Sequence, residues 1–218
     1  MMPHWLTPRH ATVAGLALLL LALWLVFPSG FSFRVATLVW ISALAAVGLN
    51  LLMGLAGQVS LGHAGFVGIG AYAVALGPRH LGLDLLPSLG LGLVLAGLLA
   101  LLVGRPILRL RGHYLAVATL GLGILIWLVL NSEVAITGGP DGIQVRRLVL
   151  FGWRVAGAET WYWITGLALV LGVLVALNLE DSPTGRALRA LHDSEVAAAV
   201  AGIDVARAKL AVFVIAAV

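Results

Sequence analysis

Long apolar runs separated by short polar stretches set the pattern of this chain. Six runs, at residues 11–27, 35–56, 59–76, 85–103, 114–130 and 161–179, reach or approach the roughly 20 helical residues that cross a bilayer. A seventh starts near Leu210 and has run nine residues at Val218, so the chain reads as truncated at its C-terminus. The predicted fold class is all-α. A single polytopic transmembrane helix bundle occupies residues 1–218, with about six complete spans, part of a seventh and an inner polar loop over 180–209.

Arg9 and His10 precede the first run in the manner of a signal peptide. Its exit, Phe27-Pro28-Ser29-Gly30, lacks a small-x-small cleavage pattern and more spans follow, so it is expected to stay as the first helix. Small residues recur every three or four positions within the runs: Ser42, Ala46, Asn50 and Gly54; Ala64, Gly68, Ala71 and Ala75; Ala168, Gly172 and Ala176. Such stripes let helix backbones approach where lipid supplies no hydrophobic drive for association. They predict a packed bundle and carry no information about cargo.

Composition enforces the membrane reading. Of 218 residues, 61% are hydrophobic and 10% charged, whereas soluble domains carry about 25% charged residues. The lipid bilayer must act as solvent. With no cysteine, disulfides, thiolate metal sites and cysteine nucleophiles are excluded. Neither a nucleophile–base pair nor a His/carboxylate metal spacing appears, which argues against an enzyme and against a metal site. The one lysine, Lys209, lies between Ala208 and Leu210, outside any Gly-Lys-Ser/Thr phosphate loop. No cofactor is therefore expected on this chain, and any ATP that drives it is bound by a partner.

The net charge of +4 sits in short segments between the runs, which suits membrane orientation rather than nucleic-acid binding. With the N-terminus cytoplasmic, inner segments carry Arg9, Arg105, Arg109, Arg111, Arg186, Arg189, Arg207 and Lys209. Outer segments carry Arg34, Arg79, Arg146, Arg147 and Arg154. A re-entrant rather than spanning segment after the Gly57-Gln58 junction would change the parity of the first half only. Trp153, Trp161, Tyr162 and Trp163 gather at the start of the sixth run, as an outer aromatic belt does.

Two regions are candidates for function. Residues 48–66 combine Asn50, Gln58, Ser60 and His63 with five glycines in apolar surroundings. Polar groups and irregular backbone at membrane depth are tolerated where they are buried in protein or line a cavity. That segment reads either as a translocation pathway or gate, or as a tight interhelical turn. In the second region, residues 180–209, Ser182-Pro183 starts a helix carrying Arg186 and Arg189 to about Leu191. Asp193 or Ser194 then caps a short helix, Glu195 through Ala201, which includes Ala197 and Ala198 and ends on a left-handed Gly202. Asp204 starts the next helix. A capped helix with Val196 and Val200 on one face suits a groove of a soluble partner or lies at the headgroups as a connector. A third segment, Thr137, Gly138, Gly139, Pro140, Asp141 and Gly142 in the outer loop, has plain turn chemistry and either reverses the chain or meets an external partner.

Three stretches resemble one family. They are Gly48-Leu-Asn-Leu-Leu through Gly57-Gln-Val-Ser-Leu-Gly-His-Ala-Gly, Arg109-Leu-Arg-Gly-His-Tyr-Leu-Ala through Thr137-Gly-Gly-Pro-Asp-Gly-Ile, and Gly185-Arg-Ala-Leu-Arg-Ala-Leu through Glu195 and Gly202-Ile203. In this order they are similar to membrane permease subunits of bacterial ATP-binding-cassette importers for branched-chain amino acids. The resemblance implies an inner-membrane location and makes Glu195 to Gly202 the segment that couples to ATP-binding subunits. It also implies a second permease subunit and a periplasmic substrate-binding protein. Urea and related amide permeases look very similar. From another class, an ion-coupled secondary transporter or channel needs an intramembrane carboxylate, and every Asp and Glu here lies outside the proposed span interiors.

Overall fold

The computed structural model describes residues 8–110, 112–145, 149–150 and 153–218. Arg111, Arg146 and Arg147 lie outside the described residues, as do the side chains of Arg9, His10, Trp153 and Arg154 used in the orientation reading. The described chain is helical almost throughout: α1 (Pro8–Val26), α2 (Gly30–Asn50), α3 (His63–His80), α4 (Leu85–Ile107), α5 (His113–Ser132), α6 (Val134–Thr137), α7 (Ala158–Asp181), α8 (Pro183–Asp193), α9 (Glu195–Val200) and α10 (Val205–Ala217). A π-helical turn, Leu51–Leu55, extends α2. Before α7, β1 (Val149–Leu150) and β2 (Trp153–Arg154) form a minimal antiparallel hairpin.

Among the described residues, four helices are long and apolar enough to cross a membrane: Gly30–Leu55, Leu85–Ile107, His113–Ser132 and Ala158–Asp181. The apolar part of α1, Ala11–Val26, is shorter, and α3 is not among the four. The expected third run does not begin at Val59. Gly57 adopts φ +64°, which ends the preceding helix, and the backbone stays irregular until His63.

The chain divides into two compact units. In the first, residues 8–47 and 156–182, α1 packs on α7 around a core of Leu20, Phe33, Trp40, Tyr162 and Leu169. Tyr162 is the centre of it. Its ring lies 5.3 Å from Phe33 and 6.1 Å from Trp40, and its hydroxyl donates to the Leu20 carbonyl at 2.6 Å. Tyr162 is thus a core residue rather than part of an aromatic belt, because Leu20 satisfies the one polar atom that would otherwise seek the interface. Nearby, Trp24 Nε1 donates to Glu159 Oε1 at 2.8 Å. Gly166 and Gly172 of α7 make room for Leu20 and Leu44.

The second unit, residues 48–155 and 183–218, is built on an α3–α4 hairpin. Its turn closes through Leu81 N–H and Leu83 N–H on the Gly77 carbonyl, at 3.0 and 3.2 Å, with Gly82 at φ +63°. Ser88, Gly92, Ala96, Ala100 and Gly104 are all buried and recur every four residues on α4. This small-residue ridge is the packing surface, and it is not one of the stripes picked out above. A Cβ on Gly92 would lie 3.2 Å from Ala73 Cβ, one on Gly104 would lie 2.8 Å from Leu210 Cδ1, and one on Gly77 would collide with Ser88. The ridge thus seats α3 on one side and α10 on the other. The predicted stripes behave differently. Ser42, Ala46, Asn50 and Gly54 are exposed, while Ala64 and Gly68 line an apolar groove of about 340 Å³ between α3 and α5.

Candidate functional site

The chain between Asn50 and His63 contains all four predicted pathway residues, and the structure separates them into three environments. Asn50 is exposed, and its Oδ1 sits where a Cβ on Gly54 would come within 2.6 Å. Gln58 and Ser60 are buried in the irregular connection 57–62. His63 opens α3 and packs its ring beside Gly48, where a Cβ would lie 3.1 Å from Nε2 and 2.9 Å from the Ala216 carbonyl oxygen. The same ring faces Phe66 at 6.4 Å, and Phe66 in turn meets Phe213 edge-on at 5.7 Å. His63 therefore ties the start of α3 to the end of α2 and to α10.

The connection is clamped at both ends. Gln58 N–H returns to the Leu52 carbonyl at 2.9 Å. Leu61 N–H bonds Thr119 Oγ1 at 3.1 Å, and that hydroxyl donates to the Ala116 carbonyl at 2.9 Å. Gly62 passes so near α5 that a Cβ would collide with the Thr119 carbonyl oxygen, and one on Gly123 would lie 2.9 Å from the Gly62 Cα. Thr119 lies in the second turn of α5. Non-helical backbone thus runs alongside α5 with two of its donors, Gln58 N–H and Leu61 N–H, paired within the protein, in keeping with the rule that such backbone at membrane depth must be buried in protein or line a cavity. Between the clamps, the Gln58 side chain is 3% exposed, and among the described residues neither amide atom has a hydrogen-bond partner. A buried amide left so is rare in native proteins.

The second candidate region folds close to expectation. Helix α8 buries Gly185, Leu188 and Leu191 and exposes Arg186 and Arg189. It runs on to Asp193, and α9 follows at once. Ser194 Oγ caps α9 by accepting Ala197 N–H at 3.2 Å. At the other end Gly202, φ +86°, donates to the Ala199 carbonyl and Ile203 to the Ala198 carbonyl, both at 3.0 Å. That pair of bonds is a Schellman cap, and Ala201, expected as the last helical residue, is its C-cap. Ala198 is buried and Ala197 exposed, while Val196 and Val200 are 71% and 85% exposed. Asp204 caps α10 through Arg207 N–H at 3.0 Å.

Two features of this region escaped sequence reasoning. Lys209 is buried and forms an ion pair with Glu195. The spacing of the two, across α9, its cap and the start of α10, gave no periodic signal. The other is His192, which closes on Gly57: a Cβ there would lie 3.1 Å from Nδ1. The loop 183–209 and the 57–62 connection therefore meet.

Thr137 in the third predicted segment is a buried hub. Its hydroxyl donates to the Leu130 and Glu133 carbonyls, at 2.6 and 2.7 Å, and accepts Gly139 N–H at 3.2 Å. Gly138, Gly139 and Gly142 all have positive φ, and a Cβ on Gly138 would collide with the Gly142 carbonyl.

Known sequences supply the context for this geometry. The family described as branched-chain amino acid transport system / permease component matches residues 31–218. The high-affinity branched-chain amino acid transport system permease protein LivM of Escherichia coli is 36% identical over 92% of this chain and 53% of its own length. Its Salmonella typhimurium counterpart is also 36% identical, over 93% and 53%. A probable LivM of Methanocaldococcus jannaschii is 26% identical over 57% of this chain and 39% of its own. The chain spans about half the length of the first two relatives. No solved structure matches. The family match covers the irregular connection, the Thr137–Gly142 turn and the α8–α9 segment alike, and the chain belongs to the family of permease components of branched-chain amino acid transport systems.

Proposed function

We propose that this chain forms the membrane pathway of an ATP-binding-cassette importer for branched-chain amino acids in the bacterial inner membrane. Transport is driven by separate ATP-binding subunits that dock on α9. The observation that carries the reading is α9 itself. It is closed at both ends by caps and held by the Glu195–Lys209 pair, yet it presents Val196 and Val200 to solvent. A rigid short helix with an exposed aliphatic pair fits a groove on a soluble partner. The family and its relatives support branched-chain amino acids as the cargo.

The remaining parts follow from this frame. The N-terminus is cytoplasmic, and α1 and α3 complete six spans with α10 opening a seventh. Because His192 meets Gly57, the 57–62 connection belongs to the ATPase side, where Gln58 and Ser60 act as an inner gate. Asn50 faces the pathway, and the exposed Ser42, Ala46, Asn50 and Gly54 stripe suits a second permease subunit. A periplasmic binding protein delivers substrate at the outer face, where the turn exposes Pro140, Asp141 and Gly142.

The test is reconstitution of the full-length subunit in proteoliposomes with its ATPase, second permease and binding protein. Leucine, isoleucine or valine should stimulate both hydrolysis and uptake. Stimulation by urea alone would reassign the cargo. Uptake driven by an ion gradient without the ATPase would overturn the mechanism.

A further inference from the structure

The buried Gln58 amide and the contact between Gly57 and His192 are adjacent in the chain, and together they imply a latch. Gly57 sits at φ +64° with His192 so near that a Cβ would lie 3.1 Å from Nδ1, 3.4 Å from Cγ and 3.6 Å from the His192 Cα. The next residue places an amide in a site where, among the described residues, neither Nε2 nor Oε1 is hydrogen-bonded. Burying unpaired polar atoms is unfavourable, so the arrangement persists because neighbouring packing holds it. The far end of the connection is fixed to α5 through Thr119. The near end rests on α8, which also packs on the Leu51–Leu55 π-turn. Single π-helical turns are frequent at functional sites.

We infer that His192 is a positioning residue that latches the 57–62 connection closed. Its ring braces Gly57 and keeps the Gln58 amide out of the pathway until α8 moves. This rests on the reading above, in which α8 and α9 answer to the ATPase. It adds the element through which they act on the gate. When α8 withdraws, the missing hydrogen bonds of Gln58 favour exposure to water or to the polar backbone groups of the substrate. The contact uses Nδ1 and Cγ, atoms whose places an asparagine side chain reproduces.

The native chain has no cysteine, so Gln58→Cys provides a clean probe in the reconstituted transporter. A small membrane-impermeant thiol reagent is applied from the ATPase side without nucleotide. With His192 intact, labelling should be slow. With His192→Ala it should rise at least tenfold, and His192→Ala with Gln58 retained should let hydrolysis continue without binding protein and lower uptake per ATP. His192→Asn should restore slow labelling of Gln58→Cys and, with Gln58 retained, coupled uptake. Thr119→Val, which loosens the other clamp, should raise labelling with His192 unchanged. Equal labelling for His192 and His192→Ala in a complex that still binds its ATPase overturns the latch and leaves the transport reading intact. Failure of the unmutated subunit to bind or respond to an ATPase overturns the transport reading itself.

Discussion

Lys209 of α10 donates a hydrogen bond to Glu195, the first residue of α9, so α9 is anchored to the helix that follows it. The lysine side chain is 7% exposed and the carboxylate 31%. Breaking a buried pair by removing one partner costs about 3–5 kcal/mol, and the partial exposure of Glu195 places this pair at the lower end. Glu195→Ala should therefore lower stability by about 3 kcal/mol in detergent thermal unfolding. Glu195→Ala combined with Lys209→Met should recover most of that loss. An additive double mutant would show that the pair is not coupled.

Gly202 isolates backbone strain from packing. No atom lies within 4 Å of a Cβ built there, yet φ is +86°. Gly202→Ala should cost about 1 kcal/mol and Gly202→Val about 2, with Gly202→Asn mildest because asparagine tolerates the left-handed region. ATPase co-purification should fall in that order while membrane insertion stays unchanged.

On α9, Val196→Asp with Val200→Asp should leave unfolding unaltered, since both side chains face solvent. Binding is another matter. Burial of a valine contributes about 1.5 kcal/mol or more, so loss of the aliphatic pair should weaken ATPase association at least tenfold, a factor equivalent to about 1.4 kcal/mol. Unchanged affinity in microscale binding assays would make α9 a connector.

The α4 ridge should be intolerant of bulk. Ala100 is 0% exposed, and Ala100→Leu forces extra methylenes against its neighbours; overpacking of this kind costs about 1–3 kcal/mol. Leu102→Ala, on the exposed face two positions along, should change stability by no more than about 0.5 kcal/mol. Thermal unfolding of the two variants side by side distinguishes ridge from lipid-facing surface.

Much of this architecture was legible because the signals are local. Apolar run length located the helices, and Ser194, Gly202 and Asp204 announced their caps through residue types that serve few other purposes. Choosing which small-residue stripe packs was harder. Ser42 to Gly54 and Ser88 to Gly104 share one period, and only the tertiary arrangement decides that the second meets a neighbour. Tyr162 misled for a related reason: an aromatic with a polar tip suits an interface or a core with a partner, and the Leu20 carbonyl lies far away in sequence. The Gly57–His192 and Glu195–Lys209 contacts left no pattern at all. Each joins single residues across a change of direction, where periodicity carries nothing.

The α3–α4 hairpin also bears on biogenesis. Its two helices are consecutive, its turn is closed by local hydrogen bonds, and most of its interface is complete once Ile107 has been synthesised. Contacts so close in sequence form early and at small entropic cost. The hairpin is thus suited to leave the insertion machinery as one preassembled piece, a template against which α10 docks when the ribosome has made the other half of the ridge's partners. A lesion at Gly77 or Gly92 would then surface as failed insertion and degradation of a nascent chain, before any transporter exists to be assayed.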